Sequence, residues 1–244
     1  MKKVVFFGSI GLARKCLEEI VMEEELDLLG VCCSKIESNW RDEETVYEFS
    51  RRKGIPVLSF NEVEKLEADI GFSVRFDRII PQEVIDSFSH GIFNTHGGIL
   101  PEYRGSYCNI NAIINEEKEY GVTLHYISYG LDAGDVVDIK KVEIKDSDTG
   151  FSLYKKSEEL CYKVLEDNIR DIILGRNRRV SQDEMIAKGH ECGVYYEEST
   201  IAKKKIDPEK LEESINIIKA FDSPYHEPAY TNIGDRKVYL RVGY

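Results

Sequence analysis

The sequence lacks any run of about 20 apolar residues, the length that a helix needs to cross a lipid bilayer. The apolar run at its start, from Val4 to Phe7, is also too short for a secretory signal. Positive charge is scarce, because 33 Lys and Arg stand against 45 Asp and Glu, which gives a net charge of −12. Such an acidic surface disfavours non-specific binding to nucleic acid. We therefore expect a cytoplasmic protein with neither a membrane nor a nucleic-acid partner.

Closely spaced cysteine pairs are also missing. No two cysteines form a C-x-x-C motif, so we interpret all six as reduced residues that mostly serve packing. They are Cys16, Cys32, Cys33, Cys108, Cys161 and Cys192. The triplet His190–Cys192 has no partner pair at the spacing of zinc ligands, and we therefore predict no metal site. The turn Gly8–Gly11 lacks the third glycine of the dinucleotide fingerprint, which disfavours a nicotinamide cofactor.

What the sequence does contain is an alternation of strand-like runs and helical patterns. Lys2–Gly8 is a run of β-branched and aromatic residues, typical of a strand buried on both faces. Ser9–Met22 has apolar residues at helical spacing, and Ser152–Leu174 is the clearest amphipathic helix. Ile55–Leu58 is predicted to be a further short strand. This alternation predicts a Rossmann-like α/β fold, with a mostly parallel, twisted sheet and helices on both faces.

The character of the chain changes near residue 178. Residues 1–178 carry the alternating pattern and are predicted to form the main domain. Residues 179–244 are too few for a full-sized core of their own, so we predict a small C-terminal subdomain. It should contain a helix at Pro208–Ala220 and a β-hairpin that turns at Gly234-Asp235. The basic runs 176–179 and 203–205 are interpreted as solvated faces, the usual state of a charge run.

The most informative stretch begins at Asn94-Thr95-His96, which ends a short apolar strand that starts at Gly91. Alternate strand residues point to the same face, so the side chains of Asn94 and His96 should lie side by side. Gly97 and Gly98 follow, and glycines leave room for a ligand to approach the backbone. The carboxyl end of a strand is where α/β sheets bind their ligands. An amide and an imidazole therefore stand at a predicted ligand-binding edge.

From Asn94 to Asp135 the chain resembles the core of the 10-formyltetrahydrofolate-dependent formyltransferases. Five elements occur in the family's order: Asn94-Thr95-His96, Gly98-Ile99-Leu100-Pro101, Tyr103-Arg104-Gly105, Gly121-Val122-Thr123 and Leu131-Asp132-Ala133-Gly134-Asp135. The resemblance implies a catalytic domain over 1–178 and a catalytic trio of Asn94, His96 and Asp132. It selects Asp132 over Asp135 and Asp138, which spacing alone leaves open.

The chemistry of these side chains agrees with that implication. Formyl transfer to an amine passes through a tetrahedral intermediate, and Asn94 is suited to donate a hydrogen bond to its oxyanion. His96 is suited to accept the amine proton, since imidazole titrates near neutral pH. Asp132 would orient and stabilise the imidazole, or accept the proton through water. The other four histidines are interpreted as surface or packing residues: His90, His125, His190 and His226.

The resemblance also implies the co-substrate, 10-formyltetrahydrofolate. Its pterin ring is expected at the backbone of Arg78, Ile79 and Ile80, and we assign the loop residues Gly98, Ile99 and Leu100 to the same ligand. The alternative for the charged residues around Arg78 is that they cap the next helix or face water.

Among these enzymes the chain is most similar to the nucleotide-sugar N-formyltransferases. That resemblance implies an acceptor amino group on a dideoxy sugar linked to dTDP, GDP or UDP, a homodimer, and a role in lipopolysaccharide O-antigen biosynthesis. Tyr195 and Tyr196, or alternatively Tyr225, are predicted to stack on the nucleobase, while Arg104 or the lysines near 204 would bind the diphosphate. Gly98 stands where relatives often have serine, and Asn111 where they usually have a bulky aromatic residue.

Other functions remain open at this point. The same chemistry could serve methionyl-tRNA or glycinamide ribonucleotide, although the short tail and the acidic balance speak against tRNA. A hydrolase would pass the formyl group to water and release formate without an acceptor. A folate-binding sensor that has lost turnover is the alternative outside the enzymes.

Overall fold

A computed structural model describes residues 1–35, 43–197 and 204–243, so Lys203 of the second basic run lies outside the described residues. The strands are β1 Lys2–Phe7, β2 Leu26–Cys32, β3 Ile70–Val74, β4 Ile92–His96, β5 Tyr103–Gly105, β6 Glu119–Tyr126, β7 Val136–Glu143, β8 Val194–Tyr196, β9 Tyr230–Ile233 and β10 Arg236–Tyr239. The helices are α1 Gly11–Met22, α2 Val46–Lys53, α3 Phe60–Val63, α4 Gln82–Asp86, α5 Cys108–Ile114, α6 Gly150–Ile173, α7 Gln182–Ala187 and α8 Ile215–Phe221. Across these ranges, no helix is long and apolar enough to cross a membrane.

The central sheet has six strands in the order β2-β1-β3-β4-β6-β7. Strands β1 to β4 pair in parallel, whereas β6 and β7 are antiparallel to their neighbours. This confirms the predicted α/β fold with a mainly parallel sheet. The predicted strand at Ile55–Leu58 is wrong, since Val57 forms only an isolated bridge with Val31. Pro56 has no N–H to donate, which limits how far this segment can pair.

Helix α6 covers one face of the sheet. It begins at a capping box, in which Thr149 and Ser152 each accept a hydrogen bond from the other's backbone N–H. Its apolar stripe, including Leu153, Val164 and Leu165, is buried, and part of it shares a cluster with α1 and the sheet. Burying one such side chain stabilises the fold by about 1.5–3 kcal/mol.

The C-terminal residues add the predicted hairpin, β9 and β10, but the predicted continuous helix at Pro208–Ala220 is wrong. Pro208–Lys210 forms one 3₁₀ turn, and α8 begins only at Ile215. Between them the hydroxyl of Ser214 donates to the carbonyl of Lys210, a local bond that competes with regular helix. Helix α8 packs against α5 and α6, so the C-terminal residues share a hydrophobic cluster with the preceding part of the chain.

A short parallel pair, β5 with β8, was not predicted. In this pair, Tyr103–Gly105 of β5 are hydrogen-bonded to Val194–Tyr196 of β8. Strand β5 is the first strand after β4 in the chain. Gly105 has a φ of +89°, and a Cβ there would lie 2.1 Å from the carbonyl oxygen of Tyr196. Only glycine permits this approach of the two strands. The pairing brings Tyr195 and Tyr196 next to the segment that contains Arg104.

Candidate active site

The candidate site lies at the carboxyl ends of β3 and β4, where the sheet changes from parallel to antiparallel pairing. A cavity of about 810 Å³ opens there. All three residues of the predicted trio line it: Asn94, His96 and Asp132. Thr123 fixes the loop beside them, because its hydroxyl donates to the Gly98 carbonyl at 2.7 Å and accepts from the Leu100 N–H at 3.0 Å.

His96 is buried and held in one orientation. Its Nε2 lies 2.7 Å from the backbone carbonyl of Tyr103, and a carbonyl oxygen can only accept. Nε2 therefore carries the proton of the neutral ring, and the lone pair is on Nδ1. Nδ1 faces the carboxylate of Asp132, with 3.6 Å between Nδ1 and Oδ2. The ring thus offers its basic nitrogen beside the carboxylate of Asp132.

Asp132 projects from the loop between β6 and β7 with a left-handed φ of +50°. Its Oδ2 accepts a hydrogen bond of 2.9 Å from the Gly105 N–H, and its Oδ1 lies 3.8 Å from Nε2 of His125. One carboxylate therefore faces two imidazoles, and a backbone bond holds it there. Aspartate is one of the few residues with a side chain that adopts this conformation readily.

Asn94 is oriented by a chain of hydrogen bonds that runs through His125. The Nδ1–H of His125 donates to the carbonyl of Tyr126 at 2.8 Å, so its Nε2 is an acceptor. That Nε2 lies 3.1 Å from the side-chain nitrogen of Asn94, while the hydroxyl of Ser73 donates to the Asn94 oxygen at 2.9 Å. A reversed amide would place its oxygen against the lone pair of His125 Nε2 and lose that bond. One of its two N–H groups remains available to a ligand.

His125 was interpreted from the sequence as a surface or packing residue, and the structure instead shows it as the acceptor that holds Asn94. Burial lowers its pKa to about 4, and the neighbouring His96 acts in the same direction, although Asp132 opposes both. The ring is therefore neutral at pH 7 and keeps the lone pair that Asn94 requires. His125 lies on β6 directly opposite Asn94 on β4. This contact depends on the register of the two strands, which the sequence alone did not reveal.

Gln182 is a second residue that sequence reasoning missed. Its side chain is buried, and its nitrogen donates to the carbonyls of Asp132 and Gly134. Its oxygen accepts from Nε and Nη2 of Arg104 at 3.1 and 2.6 Å. Arg104, predicted to bind a diphosphate, therefore faces Gln182 and does not line the cavity. No pattern in the sequence marks Gln182, because its partners lie 48 to 78 residues away.

The predicted folate loop lines the cavity through Arg78, Ile79 and Ile80. The guanidinium of Arg78 lies over the rings of Phe60 and Phe76, at 4.8 and 5.1 Å from their centres. Ile79 is 73% exposed, whereas Ile80 is buried in the apolar cluster beneath the loop. The other three residues predicted to contact this ligand do not line the cavity: Gly98, Ile99 and Leu100. Leu100 is fully buried against Val136 and Met185.

The predicted base-stacking tyrosines are placed differently from one another. Tyr195 lines the cavity and is 46% exposed. Tyr196 stacks instead on Tyr103, with 5.2 Å between the ring centres, and lies outside the cavity lining. Lys204 is mostly buried, with its ammonium 5.6 Å from the centre of the Phe221 ring.

In the described ranges, no three His, Cys, Asp or Glu side chains are grouped to hold a metal ion.

The chain is similar to known proteins over most of its length. Residues 37–169, more than half of the chain, match the family model for formyl transferase. A crystal structure of the N-formyltransferase from Helicobacter canadensis, with folinic acid and dTDP-3-aminofucose, has a TM-score of 0.81 and 26% identity. That comparison covers 98% of this chain and 87% of the other.

In sequence, the chain is similar to methionyl-tRNA formyltransferases. The one from Malacoplasma penetrans is 27% identical over 250 residues, which cover 98% of this chain and 76% of the relative. The one from Listeria welshimeri is 33% identical over 196 residues, which cover 75% of this chain and 62% of the relative. Both relatives extend beyond the part that matches this chain.

Proposed function

Because the chain belongs to the formyl transferase family, as the motifs from Asn94 to Asp135 predicted, we propose that it formylates the amino group of a nucleotide-linked amino sugar. The chain is a folate-dependent formyltransferase, with 10-formyltetrahydrofolate as the formyl donor. The observation that carries the proposal is the approach of His96 and Asp132 beside Asn94 at one cavity.

Asn94 would stabilise the oxyanion. Attack of an amine on a formyl carbonyl places negative charge on the carbonyl oxygen. One N–H of Asn94 is bonded to His125, and the other is available to that oxygen. Ser73 and His125 fix the amide before substrate binds, so no reorganisation is needed during the reaction. Loss of a comparable donor costs about 10²–10³ in rate.

His96 would accept the surplus proton of the attacking amine at Nδ1. The bond from Nε2 to the Tyr103 carbonyl fixes the tautomer that leaves Nδ1 unprotonated. The carboxylate of Asp132, at 3.6 Å, stabilises the imidazolium that forms. A positioned base of this kind contributes about 10²–10⁴ in rate.

The residues around Arg78–Ile80 fit a reduced folate. Ile79 presents an apolar side chain at the cavity, which suits the face of a pterin ring. The side-chain oxygen of Gln82, which also lines the cavity, is buried and has no hydrogen-bond partner in the described structure. A buried acceptor without a donor is costly, and an N–H group of a bound pterin would satisfy it.

Two observations support a nucleotide-linked sugar as the acceptor. The Helicobacter enzyme, with dTDP-3-aminofucose bound, is similar in structure to this chain over 98% of this chain. The cavity of about 810 Å³ is also of the size that holds a small-molecule ligand.

Methionyl-tRNA is the second candidate, because the curated sequence relatives are methionyl-tRNA formyltransferases. The net charge of −12 speaks against it, since binding of tRNA relies on positive charge that meets its phosphates.

An acceptor screen distinguishes these candidates. The protein is incubated with 10-formyltetrahydrofolate and, separately, with dTDP-, UDP- and GDP-linked amino sugars, methionyl-tRNA or glycinamide ribonucleotide. We expect tetrahydrofolate to form only with a nucleotide-linked amino sugar, together with the formamido product. Turnover with methionyl-tRNA alone would replace the proposal by the second candidate. Formate release without any acceptor would indicate a hydrolase instead.

A further inference from the structure

Arg75 directly follows β3, and its backbone is left-handed, with a φ of +50°. This conformation is uncommon outside glycine, asparagine and aspartate, and it costs of order 1 kcal/mol or more. Five non-glycine residues in the described ranges have a positive φ, and three of them line the cavity: Arg75, Tyr107 and Asp132. Arginine is not among the residues that adopt this conformation readily, so the surrounding structure must hold Arg75 in it.

The guanidinium of Arg75 has no ion-pair partner. Within residues 1–35, 43–197 and 204–243 it forms no salt bridge, and Glu158, the carboxylate that acts on it, is paired with Lys155. Its closest aromatic contact is Tyr154, whose ring centre is 5.0 Å from the guanidinium carbon. Burial acts to lower the pKa of Arg75, but Tyr154, Cys161 and Glu158 raise it above its usual value, so the charge is retained. Glu158 is bonded to Lys155 at 2.9 Å, so it acts on Arg75 only through space and leaves the guanidinium available to an anionic ligand.

Arg75 and Arg78 are the two Arg or Lys residues among the described residues that line the cavity, and their surroundings differ. Arg78 lies over Phe60 and Phe76, within the loop predicted to receive the folate. Arg75 lies instead against Tyr154, in the second turn of α6. The two cations therefore belong to different parts of the cavity.

The part of the cavity near Arg75 has an aromatic wall, defined here as Tyr154 and Tyr225. Their ring centres are 6.4 Å apart in an edge-to-face arrangement, and Phe151 packs on Tyr225 at 5.3 Å. Tyr225 follows α8, so the C-terminal residues contribute to this wall. Aromatic faces of this kind stack on nucleobases without strict selection.

We propose that Arg75 binds the diphosphate of the nucleotide-linked acceptor, and that the aromatic wall receives the base. An arginine fork matches phosphate oxygens in pairs, which fixes both position and orientation. The diphosphate would also give Arg75 a directly bonded anion, which no described residue supplies. The inference rests on the proposed function and moves the diphosphate from Arg104, which is bonded to Gln182, to Arg75.

The test is a calorimetric titration of the full-length protein with dTDP, UDP and GDP, and separately with tetrahydrofolate. Arg75→Asn removes the guanidinium, and asparagine tolerates the left-handed backbone. We expect it to weaken the tightest-binding nucleoside diphosphate about ten- to a hundredfold and to leave tetrahydrofolate affinity unchanged. Arg75→Lys should give an intermediate loss, since it keeps the charge but not the fork.

The matched control is Arg170→Gln, which removes one positive charge from the exposed far end of α6. Arg170 lies about 24 Å along the helix from Tyr154, at 1.5 Å per residue. The Arg170→Gln variant should therefore bind both ligands like the wild type. Equal nucleotide affinity in the wild type and both Arg75 variants would overturn the diphosphate site alone. A wild type that binds tetrahydrofolate but none of the three nucleotides would overturn the proposed acceptor class as well.

Discussion

The buried side chain of Gln182 donates a hydrogen bond of 2.8 Å to the backbone carbonyl of Asp132, fifty residues earlier in the chain. The same nitrogen donates to Gly134, and the oxygen accepts two bonds from Arg104. All the hydrogen-bonding groups of Gln182 are therefore used. Helix α7 thus holds the loop that brings the Asp132 carboxylate next to His96, and we infer that Gln182 positions this loop.

Gln182→Met keeps the length of the side chain and removes every one of these bonds. The carbonyls of Asp132 and Gly134 lose their buried donor, so the free energy of unfolding should fall by about 1–3 kcal/mol. Displacement of the Asp132 loop should also lower kcat by about ten- to a hundredfold, with little change in KM for the folate. Steady-state kinetics and urea denaturation measure the two effects.

Glu184→Ala is the control from the same helix, because Glu184 is exposed and its main partner is Lys188. Loss of such a surface pair should change stability by less than about 1 kcal/mol and leave kcat unchanged. If Gln182→Met is destabilised but retains the wild-type kcat at a temperature where it is folded, Gln182 only stabilises the fold.

His96→Ala and Asp132→Asn test the pair that faces each other across 3.6 Å. Removing the imidazole removes the proposed proton acceptor, so kcat should fall by about 10²–10⁴. Asp132→Asn keeps the shape but removes the charge that stabilises the imidazolium, and we expect a loss of similar size. The rate of tetrahydrofolate formation measures both. Tetrahydrofolate binding should persist in each variant, and a wild-type rate for either would exclude the assigned role.

Acidification should destabilise the protein through His125. Its pKa is about 4 in the folded state, below the ordinary value of 6.5, chiefly because of burial. As the pH falls from about 6.5 to about 4, the unfolded chain takes up this proton but the folded chain does not. The stabilisation is therefore complete above pH 6.5 and is lost across that window, by up to about 3 kcal/mol. Urea denaturation at several pH values measures it.

The control for this pH dependence is the His125→Gln variant, which has no titrating ring at this position. Its free energy of unfolding is measured over the same pH range as that of the wild type. His96 and Asp132 also face His125, so the difference between the two stability curves isolates the imidazole. We expect the variant to lose less stability between pH 6.5 and 4 than the wild type. Parallel curves would mean that His125 takes up its proton equally in both states.

That Asn94, His96 and Asp132 lie at one cavity could be predicted from the sequence because they belong to motifs that are contiguous in the chain. Asn94 and His96 share one strand face, and Asp132 occupies a loop that the family resemblance identifies. The parallel core of the fold followed from the β-branched and aromatic runs, such as Lys2–Gly8, in the same way.

The contacts around the trio could not be predicted, because they depend on long-range packing. Strands β5 and β8 have three residues each, too few to show a period. Gln182 meets Asp132 only once that pairing and α7 are in place. The left-handed backbone of Arg75 likewise leaves no trace in the sequence, since arginine is not a residue that favours it.

Gly98 lies against the imidazole of His96, and the lack of a side chain at Gly98 leaves room for that ring. A Cβ at Gly98 would stand 2.7 Å from Nε2 of His96 and 2.5 Å from the Tyr103 carbonyl oxygen. Gly98→Ala must therefore push the ring or the carbonyl away and weaken the bond that sets the tautomer. We expect kcat to fall by about ten- to a hundredfold, and the ¹⁵N NMR signals of the His96 ring to shift towards the other tautomer.

Gly97→Ala is the matched control, because a Cβ there would meet only the hydroxyl of Tyr120, at an ordinary 3.5 Å. The added methyl group is the same, but the contact between His96 and Tyr103 remains. The ¹⁵N signals of His96 should therefore match the wild type in Gly97→Ala and differ in Gly98→Ala. Unchanged signals and kcat in Gly98→Ala would mean that the loop yields without moving the ring, so that the absence of a side chain at Gly98 does not determine the position of the base.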